Sequence, residues 1–157
     1  MQAAMAEARA ALQNGDYPIG AVLVIDGEVI DRSRNSIYSE ENWHGHAESN
    51  LIIKNSQLIK KKIKAGSDVQ LYTTLEPCLM CLGAIVLHRI PKIIYACADP
   101  HGGSMGLNPA SLAVWYKDNW PKFEQGSFKH ESLTLIIEFL TDKPSDSEVL
   151  KLFKDLR

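Results

Sequence analysis

Cys78 and Cys81 constrain this chain more than any other feature. They follow Pro77 directly and head a run, residues 78–88, that is apolar almost all round. Proline suits a first helical turn, and a helix apolar on every side is expected to be buried. Residues 69–74 and 93–98, on either side, are short and rich in β-branched and apolar residues, as strands are. Strand, helix and strand in succession predict an α/β layer with at least one parallel pair in its sheet. The two sulfurs, three residues apart, project from one face of the helix start. Unpaired N–H groups and the positive dipole end there favour thiolate over thiol.

The chain has 157 residues, which predicts a single domain over 1–157 with a core that needs no disulfides. Hydrophobic residues at 45% and charged residues at 23% exclude a disordered chain. Cys97 is the third and last cysteine. Residues 1–14 carry Glu7 and Arg9 and do not read as a signal peptide. An odd, low cysteine count then points to a reducing, cytoplasmic setting, where close thiols bind metal or do chemistry. No apolar run approaches the ~20 residues of a membrane helix, so no membrane partner is expected. A net charge of −2 weakens the case for a nucleic-acid partner.

Elsewhere the pattern is regular. Residues 1–14 read as an amphipathic helix, with Met1, Met5, Ala8 and Leu12 on one face. Residues 19–25 and 28–31 flank Asp26-Gly27 and read as a hairpin. A polar loop over 35–45 precedes a helix from about His46 to Leu58. Lys60, Lys61, Lys62 and Lys64 read as a solvated helix end. Residues 99–108 form a glycine-rich loop at a strand end, where open α/β sheets keep their sites. Residues 110–117 suit a short helix, and 131–140 suit strand or helix equally. Near the C-terminus, Ser145 or Ser147 can cap a helix with Val149, Leu152, Phe153 and Leu156 as its stripe.

The chemistry lies in joining His46-Ala47-Glu48 to Pro77-Cys78-Leu79-Met80-Cys81. One imidazole and two thiolates are a zinc donor set, and three protein ligands leave the fourth tetrahedral position open. Water in such a position drops from a pKa of ~15.7 to about 7. Glu48, two residues past the histidine, can then move protons as a general acid and base. Such a site attacks an amidine-like carbon and expels ammonia. His-x-Glu followed by Pro-Cys-x-x-Cys is the signature of zinc deaminases.

The chain resembles the cytidine and deoxycytidylate deaminase superfamily, in the branch of tRNA adenosine deaminases, guanine deaminases and fungal cytosine deaminase. The resemblance rests on 18–24 (Pro-Ile-Gly-Ala-Val-Leu-Val), Asn35, His46-Ala47-Glu48, 71–81 and Gly83-Ala84-Ile85, and it weakens beyond Gly103. It implies a three-layer α/β/α fold with a mixed five-stranded sheet, one zinc per subunit on His46, Cys78 and Cys81, and Glu48 as proton shuttle. It also implies substrate contacts from Asn35 and from the backbone N–H groups of Ala47 and Cys78. Asp99, in the loop after the fourth strand, joins these contacts as a candidate. A homodimer is implied as well.

Departures from the tRNA enzymes bear on substrate. Pro100-His101 is unusual, residues 109–122 with Trp115, Tyr116 and Trp120 do not match, no fifth strand is evident, and the chain is less basic. These tilt the reading toward a free nucleobase or nucleoside as substrate, with wobble adenosine of tRNA as the alternative. A structural zinc module closed by Cys97 is the alternative of another class. Strand position favours Cys97 as a small core residue instead.

Overall fold

The computed structural model describes residues 1–143 and 146–156. Helix α1 (Gln2–Gln13) precedes β1 (Gly20–Ile25) and β2 (Glu28–Arg34). Then come α2 (Ala47–Lys64), β3 (Val69–Leu75), α3 (Leu79–Leu87) and β4 (Lys92–Cys97). A 3-10 turn (Pro109–Ser111), α4 (Val114–Asp118), β5 (Lys122–Gln125), α5 (Lys129–Thr141) and α6 (Ser147–Lys154) complete the order. The strands make one sheet, β2-β1-β3-β4-β5. β1 is antiparallel to β2 and β3, whereas β3, β4 and β5 run parallel. This is the mixed five-stranded α/β/α fold that the resemblance implies.

Local rules account for most elements. Asp26 and Gly27 both have positive φ, 53° and 83°, as a two-residue hairpin turn requires. Leu133, Ile136, Ile137 and Leu140 are buried at helical spacing, which settles 131–140 as part of α5. Helix α2 continues past Leu58 to Lys64, and the lysines of its last turn suit the negative end of its dipole.

The sheet separates two cores. On one face Leu23, Leu71 and Ile93 pack with Leu51 and Ile52 of α2 and Leu82 and Ile85 of α3. On the other, Leu75 and Cys97 pack with α5 and with Phe153 of α6, and Leu12 of α1 joins them. Each large side chain fully buried in this way contributes roughly 1.5–3 kcal/mol.

Three expectations need correction. Helix α3 is not buried all round: Cys81, Leu82, Ile85 and Val86 are, but Leu79 and Leu87 are 66% and 62% exposed. It packs inward on the sheet and α2, and Leu79 and Leu87 on its outer face lack cover among the described residues. The missing fifth strand is β5, too short and too polar (Lys-Phe-Glu-Gln) to register as a pattern. In α6, Asp146 stands at the cap position and Ser147 is the first helical residue, while Ser145 lies outside the described residues. Leu152 faces solvent, and Leu150 packs on the core in its place.

Candidate active site

The C-terminal ends of β3 and β4 meet the starts of α2 and α3, and there the motif residues converge. His46 is the N-cap of α2 and Cys78 the N-cap of α3, both with extended backbone. Cys81 lies one turn into α3. His46 Nδ1, Cys78 Sγ and Cys81 Sγ all lie within 4.8 Å of one another. The His46–Cys78 separation is 3.6 Å. A tetrahedral zinc with Zn–S of ~2.3 Å and Zn–N of ~2.0 Å has an S–N edge of about 3.6 Å. The donor set and its spacing therefore fit a zinc ion.

The electrostatics agree with this. A hydrogen bond from the Cys81 thiol, with help from His46, pulls the Cys78 thiol down to about 4 against the opposing effect of burial. The same bond, with burial, pushes Cys81 up. The Cys78 contact raises His46 above its ordinary value. Cys97 stands apart: its thiol donates to the carbonyl of Ala98 at 3.3 Å, and burial pushes it up to about 11. Among the described residues the metal-capable cluster has three members, so Cys97 closes no fourth position.

Glu48 lies in the first turn of α2 and is 3% exposed. The Thr73 hydroxyl donates to its Oε1 at 2.7 Å, and its Oε2 lies 3.5 Å from Cys81 Sγ. Burial nonetheless raises its carboxyl, with the Thr73 bond opposing. A buried carboxyl raised in this way, with one fixed hydroxyl donor, is suited to carrying a proton.

A cavity of about 310 Å³ opens beside the cluster, lined in part by Asn35, Trp43, His46, Cys78 and Asp99. Asn35 is 1% exposed; its Oδ1 accepts from the N–H of Ile37 at 3.1 Å and its Nδ2 has no partner among the described residues. A buried amide donor left open at a cavity wall is ready for a ligand acceptor. Asp99 lines the cavity too, but its Oδ1 accepts from the N–H groups of His101 (2.9 Å) and Gly102 (3.0 Å) and so shapes the turn. α5 and α6 add an apolar side to the wall, with Ile136, Leu140, Val149 and Phe153.

Some site residues escaped the sequence reading. Thr73 is one. Glu76 is another: it is 7% exposed, and it accepts from the N–H groups of Asp99 (3.0 Å) and Met105 (2.8 Å). Gly103 packs so closely on this carboxylate that a Cβ would collide with it. Glu76 thereby ties the 99–105 loop to the strand that leads into Cys78. Trp43, 83% exposed, lines the cavity, and a lone tryptophan in a polar loop was its only signal. Trp120 packs on the core.

A family model described as MafB19-like deaminase matches residues 1–130, which include the whole cluster. The chain belongs to this deaminase family. The match continues well past Gly103, where the resemblance had weakened. The deaminase is 35% identical over 146 residues to the tRNA-specific adenosine deaminase of Agrobacterium fabrum, covering 93% of this chain and 95% of that one. It is 42% identical over 106 residues to the tRNA-specific adenosine deaminase of Bacillus subtilis, covering 68% of this chain and 65% of the relative. A solved structure from work on A-to-I editing by tRNA:A34 deaminases superposes with a TM-score of 0.66 at 35% identity, over 80% of this chain and 95% of that one. The guanine deaminase of Nitrosomonas europaea shares the fold, with a TM-score of 0.69 at 18% identity over 88% and 81%. The deaminase therefore sits in the branch that holds the tRNA adenosine deaminases and the guanine deaminases.

Proposed function

We propose that the protein is a hydrolytic tRNA adenosine deaminase that converts an adenosine of the anticodon loop into inosine. The observation that carries this is the likeness to the Agrobacterium tRNA-specific enzyme along nearly the whole of both chains. The tilt toward a free base or nucleoside gives way. It rested on Pro100-His101, on residues 109–122, on a fifth strand that was not evident and on net charge; β5 is present, and a near-zero sum says little about where the cations lie.

Zinc held by His46, Cys78 and Cys81 would supply a Lewis acid with one open coordination position. The chain's other groups account for the proton traffic. Glu48 takes a proton from the attacking water and passes it to the ring nitrogen next to the amine-bearing carbon. It then delivers the water's second proton to the amine as the C–N bond breaks. Water is consumed, ammonia leaves, and the carbon becomes a carbonyl. Thr73 keeps the Glu48 carboxylate aimed. Asn35 Nδ2 donates to the base, and the N–H groups of Ala47 and Cys78, at helix starts where they lack intrahelical partners, face the substrate. Asp99 shapes the loop that receives it.

The assembly we infer is a homodimer. Ile53, Leu79 and Val114 expose large apolar surface that a second copy would cover. No helix among the described residues is long and apolar enough to cross a membrane. Free thiols at the site suit the cytoplasm.

The test is inosine formation, read by mass spectrometry, in an anticodon stem-loop RNA with adenosine at the first anticodon position. Adenosine, guanine and cytosine are assayed beside it for ammonia release. We expect turnover of the RNA above all. Turnover of a free base with none on the RNA would sink the proposal.

A further inference from the structure

We propose that a basic groove at the far ends of α2 and α3 binds the phosphate backbone of the RNA substrate. This rests on the tRNA reading above. The groove, about 380 Å³, is lined by Lys60 and Lys64 of α2, by His88 and Arg89 after α3, and by Ser56 and Trp115, together with the apolar Ile63 and Leu87. Lys60 is twelve residues beyond Glu48 in α2. At about 1.5 Å per residue that places it roughly 18 Å from the catalytic cluster.

Its charge balance is the argument. No carboxylate lines the groove. The ion pairs among the described residues are Arg34–Glu7, Lys54–Asp31, Lys62–Asp26 and Lys92–Glu124. Lys60, Lys64 and Arg89 enter none of them. Three uncompensated cations thus meet in one groove of a chain whose net charge is −2. The ends of α2 and α3 each carry a partial charge of about −0.5, which draws lysines in but leaves most of the positive charge unmatched. An anion would complete the balance.

Two further features fit a ligand. Arg89 has a φ of 56°. Its N–H donates to the carbonyl of Val86, and that of Ile90 donates to the carbonyl of Ile85, the pattern of a left-handed helix cap. Glycine is the usual residue there, and arginine instead puts a guanidinium on the groove wall. Beneath it, His88 Nδ1 donates to the carbonyl of Ala84 at 2.8 Å, so Nε2 accepts from the Ser56 hydroxyl, also at 2.8 Å. This bond clasps α2 to α3. It has the look of a nucleophile and base, but the helix ends around it offer carbonyls and not the N–H groups an oxyanion would need. It serves as a rigid polar floor. Trp115, 39% exposed, supplies an aromatic surface on which a base can stack.

The test compares the triple variant Lys60→Gln, Lys64→Gln, Arg89→Gln with a control triple, Arg9→Gln, Lys122→Gln, Lys154→Gln, which removes the same charge elsewhere. The probe is the anticodon stem-loop RNA, followed by fluorescence anisotropy across a salt series. We expect the groove triple to bind about tenfold more weakly, with the slope of log K against log salt smaller by about 2, and the control to bind like the wild type. Equal binding by both triples overturns the groove. So does a wild type that fails to bind RNA, displacement of the RNA by micromolar 5′-AMP, or loss of dimer mass together with RNA binding in the groove triple. Inosine formation by the wild type is scored separately. Groove-dependent binding without inosine would remove the tRNA activity and leave the groove standing.

Discussion

On one face of the sheet, the starts of α2 and α3 gather His46, Glu48, Cys78 and Cys81 beside the cavity; on the other, α5 and α6 bring Ile136, Leu140, Val149 and Phe153 to its wall. The first set consists of polar groups, and Glu48 and Cys81 within it are buried. Each needs its own donor or acceptor, so only certain residue types serve at each place. The second set is apolar, and a wall of this kind needs volume more than identity. Reaction class is therefore expected to reside in the helix starts, and substrate preference in the wall. The two sides should respond to substitution in different ways.

Cys78→Ala is expected to have the largest effect. Zinc per chain, measured by plasma emission, should fall toward zero, and turnover and melting temperature should fall with it, because metal binding and folding are coupled. Glu48→Ala should keep its zinc and lose on the order of 10²–10⁴ in kcat; full activity would remove Glu48 from the proton path. Phe153→Ala belongs to the other face. It should cost about 3 kcal/mol in denaturant unfolding and raise KM well before it lowers kcat. If kcat fell there as it does for Glu48, the division between the two faces would break. Gly103→Ala strikes the loop between them, where the new methyl meets the Glu76 carboxylate. A several-fold loss in kcat/KM with zinc retained is expected. Cys97→Ser should do least, leaving zinc content unchanged because its sulfur lies outside the three-membered cluster.

The helix-start chemistry was legible in the sequence because its residue types are scarce and their spacing is fixed. Histidine, glutamate and paired cysteines at helix starts leave few alternative readings. The hairpin was legible for a similar reason, since Asp26-Gly27 supplies the two left-handed positions its turn needs. The wall was not. Leu133 to Leu140 reads equally as strand or helix until tertiary packing decides, and β5 holds its place through its ladder with β4 more than through its own residues. Thr73 and Glu76 were invisible for another reason. Each acts through a long-range hydrogen bond, to Glu48 and to the 99–105 loop respectively, and nothing local announces such a partner. The exposed side of α3 misled because apolarity marks a surface that wants cover, without saying whether the same chain provides it.

The bond set between Glu76 and the 99–105 loop bears on how such an enzyme can change over generations. A loop of foreign length grafted between β4 and Leu107 would have to restore N–H groups in register at 99 and 105 and a residue without a side chain at 103. Failing that, Glu76 becomes a buried carboxylate with nothing to accept from. Insertions and drift are thereby steered past Met105, into the stretch that holds Trp115 and Tyr116, where no such tether operates. One carboxylate thus sets a border between a loop whose length and register are held and a stretch that lies outside its reach.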